Sequence, residues 1–326
     1  MWGKHSNFDL SVHVPLLVRF PPKWRHLAPA APGGTNDRMV SFVDFAPTVL
    51  SLAGLDLPAH FQGTAFLGAK AAAPRGFIFG GKDRQGECAD TIRYVRDHRF
   101  QYLRNFQPHL PYGQFMSYNW QHASTPVWEQ LHRASKLSGP PARFFAATKP
   151  VEELYDVQRD PWQINNLAAD PVYAAELIRL RTLLAAQMEA ASDLGLLPER
   201  ELHARRRGGD FYTLATDPQR NPLPALRRAA DLAGRATAEE LPALGALLRD
   251  ADAAVRWWGA LGHIRLGAAA RPAAAALAAA LADPSPDVRL AAAEALAGLG
   301  QLDRALEVIA EALRADDGFA RLSALS

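Results

Sequence analysis

The sequence predicts two fold classes in succession: mixed α/β with a small antiparallel sheet over residues 1–200, then all-α over 223–326, joined by a linker at 201–222. Three observations carry this. Before residue 200, short strand-like runs alternate with Pro- and Gly-rich breaks. After it the chain is rich in Ala and Leu at helical spacing, with almost no strand signal. That second region also repeats. Leu248, Val255-Arg256 and Leu266-Gly267 recur as Leu281, Val288-Arg289 and Leu299-Gly300, each 33 residues later.

Val12–Phe20 is a continuous apolar run containing Pro15 and ended by Pro21-Pro22. It predicts a strand at a sheet edge, where a missing N–H is tolerated. Residues 23–37 are loop. Over 41–53, Phe42, Phe45, Val49 and Leu52 share one helical face, Asp44 stands near the start and Gly54 supplies the stop. Residues 76–80 predict a short buried strand. Ile92–Val95 and Phe100–Leu103, with Asp97-His98 between them, predict a β-hairpin. Leu154–Val157 is a further strand. Asp170-Pro171 is a helix start of the N-cap and N1 type. Tyr173, Leu177, Leu180, Leu184 and Met188 form the apolar stripe that follows, with Gly195 beyond it.

Gly208-Gly209 and prolines 218, 222 and 224 mark the linker, and Arg205-Arg206-Arg207 beside them reads as a solvated run. In the repeats, Asp283 ends one helix, Pro284 and Pro286 shape a turn, and Val288 opens the next helix onto the core. The 33-residue period and the Asp…Val-Arg pattern resemble HEAT repeats, stacked helix pairs that present a concave surface suited to a protein partner.

A hydrophobic fraction of 48% and a charged fraction of 21% place the chain among globular proteins rather than disordered ones. A net charge of +2 is too small to predict a nucleic-acid or acidic-membrane partner. No apolar run reaches the length of a membrane span. The N-terminus shows no secretion signal, which leaves the compartment open. Cys88 is the only cysteine, so neither an internal disulfide nor a multi-cysteine metal site is available.

The chemistry-bearing residues begin at Gly3-Lys4, followed by Phe8-Asp9 and then Val14-Pro15-Leu16. Two further blocks are Val40–Leu50 and Glu153-Leu154-Tyr155-Asp156 with Asp160-Pro161 and Asn165-Asn166-Leu167. Taken in order, they resemble the C-terminal part of the sulfatases, formylglycine-dependent hydrolases with an alkaline-phosphatase-like fold. Their look is closest to bacterial enzymes related to N-sulphoglucosamine sulphohydrolase.

The resemblance implies that Lys4 binds the sulfate group. It also implies a calcium ion and a formylglycine nucleophile in the parent enzyme, a sulfated carbohydrate substrate, and the often periplasmic or secreted location of family members. The nucleophile motif, Cys or Ser-x-Pro or Ala-x-Arg, is not found in this sequence. Cys88 lies in Gly86-Glu87-Cys88-Ala89-Asp90 and does not fit it. The calcium ligands also belong upstream of the lysine, so this chain is expected to supply no metal site and no turnover alone. It is further expected to expose apolar surface when expressed by itself.

His5, Asp9 and His13 would line one face of a helix as metal ligands do, but the apolar run after them favours extended chain, where they do not converge. Residues 104–113, with Trp120 and Trp128, form the richest polar-aromatic stretch. Its side chains suit either the rim of a carbohydrate pocket, with His109 as substrate contact, or a stiff loop packed on the small sheet. Two other readings stay open: a non-enzymatic helical-repeat binding module, and another hydrolase of the same superfamily such as a phosphodiesterase or phosphonate hydrolase.

Overall fold

The computed structural model describes residues 6–325. Four antiparallel strands lie in chain order: β1 (Ile78–Gln85), β2 (Cys88–Arg96), β3 (Phe100–Asn105) and β4 (Glu152–Asp156). Asp97 shapes the β2–β3 turn, its Oδ1 accepting from the amides of Arg99 and Phe100 at 2.8 and 2.7 Å. Tyr94 pairs with Leu103, and Tyr102 with Leu154. A bulge between Lys82 and Arg84 interrupts the β1–β2 ladder.

Alternation along these strands separates two faces. One carries Val95, Phe100, Tyr102 and Leu154 into the main hydrophobic core. The other carries Ile92, Tyr94, Leu103 and Tyr155, with Phe8 packed on them.

The helices that matter here are α1 (Phe45–Leu52), α2 (Ser124–Arg133), α3 (Ala174–Ala190), α4 (Glu199–Arg206), α5 (Leu223–Arg235), α6 (Leu241–Leu247), α7 (Ala253–Leu266), α8 (Ala274–Ala280), α9 (Pro286–Gly298), α10 (Leu302–Arg314) and α11 (Gly318–Leu325). Asp170 caps the turn leading into α3 by accepting from the Val172 amide. Helix α3 then buries Leu177, Leu180, Leu184 and Met188 against the first face, as its stripe predicts. Asn166 ties the following chain to β4, accepting from the amides of Leu154 and Ala168 and donating to the Glu152 carbonyl. That is the structural use of the Asn-Asn-Leu motif.

The repeats close the same core. Trp258 of α7 is fully buried, meets Phe106 edge-on at 6.3 Å, and donates its indole N–H to the Leu196 carbonyl at 2.9 Å. Arg104 of β3 reaches Asp231 of α5 at 2.8 Å. Arg256 forks onto Asp283 at 2.7 and 2.8 Å, which gives the Val-Arg and Asp of successive repeats a joint role as an inter-repeat clamp. Arg205 makes the same fork onto Asp252. Its side chain is only 14% exposed, so the basic run is not uniformly solvated. The interval 201–222 holds most of α4 and a short helix at Phe211–Thr216.

One local expectation is corrected. Val12–Phe20 is not a strand. A single helical turn, Asp9–Val12, is followed by irregular backbone with Leu16, Leu17 and Val18 exposed. Extended chain needs a ladder partner, and none of the described strands pairs with it.

The apolar stripe of α1 does not face the described core. Phe42, Phe45, Val49 and Leu52 are exposed, Phe42 by 71%. The opposite, polar face is the buried one. Asp44 makes a capping box with Ser41 and accepts from the Thr64 amide at 2.8 Å. Thr48 and Ser51 accept from the amides of Phe66 and Lys70, both at 3.0 Å. The helix is fastened by hydrogen bonds to the loop that follows it, and its apolar side is left outward. Gly54, at φ +73°, ends it.

Candidate functional site

Lys4 and His5 lie outside the described residues. The segment directly after them is held on the second sheet face by four kinds of contact. Phe8 sits between Tyr112 and Tyr155, ring centroids 5.8 and 5.9 Å away. Gln101 of β3 donates to the Asn7 carbonyl at 2.7 Å. Gln163 accepts from the Asp9 amide and donates to Gln101 at 2.8 Å. Arg96 of β2 grips both Asp9 carboxylate oxygens, at 2.6 and 3.3 Å, with both side chains 13% exposed. The aromatic-acid pair is therefore an anchor: the ring is packed and the acid is neutralised, leaving neither free for catalysis.

Beneath the anchor is a buried charged network. Lys149 is fully enclosed and donates to Asp90 at 2.8 Å and to the Leu110 carbonyl at 3.0 Å. Burial pulls the Lys149 ammonium below its ordinary pKa, opposed by Asp90. Glu153 is also enclosed and takes hydrogen bonds from Tyr112, from Tyr155 at 2.6 Å and from Asn105 at 2.7 Å. Burial raises its carboxyl and these three donors oppose the rise. Glu153 and Tyr155 of the Glu-Leu-Tyr-Asp motif thus face the lysine-bearing segment, while Leu154 between them faces the core.

A cavity of about 30 Å³ lies where the segment meets the sheet. Lys82, Cys88, Asp90 and Ile92 line it from β1 and β2, Asn7 and Phe8 from the segment, and Tyr112, Gln114, Met116 and Phe144 from the loop side. The two tryptophans grouped with the polar-aromatic stretch pack on neighbouring chain: Trp128 stacks on Phe144 at 4.5 Å and Trp120 donates to Glu129 at 2.8 Å. A larger hollow of about 370 Å³ between α8 and α10, lined by Arg304, Glu307 and Glu311 with Leu281 and Val308, is a feature of the repeats.

His109 does not line the small cavity. It is half-buried near Lys149 and Arg265, and burial with those two cations lowers its pKa to about 4. It is neutral near pH 7 and offers no positive charge to an anion. Cys88 is buried, donates its thiol to the Phe115 carbonyl at 2.8 Å, and has its pKa raised by burial, the opposite of an activated nucleophile.

His13 makes a 3.2 Å contact with Asp9. Among the described residues no group of three or more His, Cys, Asp or Glu is placed to hold a metal ion. The calcium and formylglycine implied by resemblance do not fit these described residues. No described helix is long and apolar enough to cross a membrane.

Lys82, Asp90 and Lys149 were not singled out by the sequence reading, and Tyr112 entered it only as part of the 104–113 stretch. The signal that could have found the first two is strand alternation, which puts Lys82, Asp90 and Ile92 on one face. Nothing local marks Lys149.

Residues 1–73 match the family model described as N-sulphoglucosamine sulphohydrolase, C-terminal, and residues 241–326 match HEAT repeats. The chain is 35% identical over 218 residues to an ulvan-active sulfatase of Formosa agariphila, covering 66% of this chain and 35% of that protein. It is 27% identical over 202 residues to N-sulphoglucosamine sulphohydrolase of Homo sapiens, covering 56% of this chain and 38% of that protein. A solved structure described as a sulfatase, from Bacteroides thetaiotaomicron, overlaps it with a TM-score of 0.30 at 21% identity, covering 46% of this chain and 25% of that one. This overlap is too small to add to the sequence relationship. The chain spans little more than a third of the length of the curated relatives it matches. It carries the C-terminal part of a sulfatase, followed by HEAT repeats.

Proposed function

We propose that this chain forms the sulfate-holding wall of a sulfatase that hydrolyses a sulfate ester or sulfamate on a sugar. Lys4 is the residue that would grip the transferred group. A compact ammonium neutralises sulfate oxygens and the charge that builds on them as the S–O or S–N bond breaks. The observation that carries this reading is the anchoring of residues 7–9 through Phe8, Asp9, Gln101 and Arg96. A residue a few positions from such an anchor is suited to a fixed role. The relationship to sulfatases named for ulvan and for N-sulphoglucosamine supports a sulfated carbohydrate as substrate.

The nucleophile and the metal ligands are not supplied by the described residues, so the reaction needs the remainder of such an enzyme. The outward stripe Phe42, Phe45, Val49 and Leu52 supports this reading, being apolar surface of the kind that a further part of the fold covers. The HEAT repeats share a core with the sheet through Trp258 and Phe106, which favours one structural body over a separate binding module.

The test is an assay of the purified 326-residue chain with calcium against 4-nitrophenyl sulfate and N-sulfated glucosamine. No turnover is expected, and turnover would overturn the reading. Sequencing the DNA before Met1 should show an in-frame Cys or Ser-x-Pro or Ala-x-Arg motif. A different nucleophile motif there would instead favour a phosphodiesterase or phosphonate hydrolase.

A further inference from the structure

The small cavity beside the anchored segment is lined by one donor without a partner and one only loosely paired. Asn7 lines it, is 6% exposed, and its side-chain amide nitrogen has no hydrogen-bond partner. A buried amide donor without a partner costs about 1–3 kcal/mol. Lys82 lines the same cavity with a side chain 14% exposed. Its ammonium stands 3.9 Å from the nearer Asp90 oxygen, beyond hydrogen-bond range, while the other Asp90 oxygen is taken by Lys149 at 2.8 Å. Asp90 thus answers two lysines and fully satisfies one.

The remaining walls are the rings of Phe8, Tyr112 and Phe144, the side chains of Ile92, Leu103 and Met116, and the polar side chains of Ser6, Cys88, Asp90, Gln114 and Asn119. An amide N–H and an ammonium side by side in a mixed aromatic and polar recess suit an anionic oxygen on the wall away from Asp90. The volume of about 30 Å³ is roughly that of one water, so it admits a single oxygen of a substituent and not a sugar ring.

We propose that this cavity is a subsite in which Asn7 and Lys82 receive an anionic oxygen substituent of a sugar, a carboxylate or a sulfate other than the one transferred. The assignment rests on the carbohydrate reading above and adds to it the residues that would select among sulfated sugars. Asn7 lies three positions along the sequence from Lys4, the residue assigned to the transferred group. Binding there would satisfy the orphaned amide and the second lysine together.

The experiment titrates the purified chain with sodium glucuronate, inorganic sulfate and glucose, following the Met116 methyl resonance, since Met116 lines the cavity. Glucuronate or sulfate should shift that resonance saturably, and whichever binds more tightly identifies the substituent. Glucose should not shift it. Asn7→Leu and Lys82→Met should each weaken the anion by roughly tenfold, whereas Lys4→Ala should leave glucuronate binding in place. Without ligand, Asn7→Leu should melt at or above the parent chain, because a costly orphan is removed.

The proposal is overturned by no saturable shift, by an equal response to glucose, by unchanged binding in both cavity variants, or by a lower melting temperature for Asn7→Leu. Sulfate binding that depends on Lys4 alone would uphold the sulfatase reading and sink the subsite. Turnover by the chain alone would overturn that reading and leave the cavity titration to stand or fall by itself.

Discussion

One face of the four-stranded sheet presents Val95, Phe100, Tyr102 and Leu154 to helices α3, α5 and α7. The other, one residue along on the same strands, presents Lys82, Asp90, Arg96, Gln101 and Glu153 to the segment that follows Lys4. The dry face is held by area removed from water, which is forgiving of chemistry and unforgiving of volume. The polar face adds matched charges and donors to a smaller apolar cluster around Phe8, and there a single lost partner matters a great deal. The fold places bulk on one side of the sheet and specificity on the other.

The largest expected effect lies on the dry side. Trp258→Ala removes a fully buried indole and its bond to the Leu196 carbonyl, and should cost about 3–5 kcal/mol by denaturant midpoint. A loss below about 1 kcal/mol would show that the repeats do not share the sheet's core.

On the polar side, Lys149→Met leaves Asp90 buried with only a distant Lys82 and should cost roughly 3 kcal/mol. Joining it with Asp90→Leu should restore most of that loss. Additive losses in the double variant would mean that the pair is not the unit of stability described here.

A smaller effect is expected in the repeats. Asp287 is buried, one carboxylate oxygen has no partner, and burial with Glu201 nearby raises its pKa from 3.8 to about 7. The folded chain therefore binds a proton that the unfolded chain has released. Stability contributed by this group is present below about pH 4 and is lost as pH rises to about 7. Asp287→Asn should raise the melting temperature at pH 8, by about 1–2 kcal/mol in stability, and do little at pH 4. An equal effect at both pH values would refute the proton linkage.

The sequence reading was strongest where contacts are local. The hairpin at 92–103, the stripe of α3 and the Asp170 start are set by neighbours within a few residues. The repeat clamp from Arg256 to Asp283 was visible as a period although its chemistry was not. Phe8-Asp9 was recognised as a motif, but its use as an anchor depends on Arg96 and Gln163, far along the chain. Alternation alone does not tell which sheet face will be polar. The stripe of α1 was read correctly as a face; its outward direction follows from the loop bonds to Asp44, Thr48 and Ser51. Val12–Phe20 has the composition of a strand and lacks a described partner, and pairing is a property of the fold rather than of the segment.

The central claim is that the polar face fixes the segment next to Lys4. Amide hydrogen exchange at Asp9, whose N–H donates to Gln163, tests it most directly. Protection should approach that of the β2–β3 amides and should fall in Gln163→Ala. Exchange of the Asp9 amide at the rate of a free peptide, with β2 and β3 protected, would contradict the account.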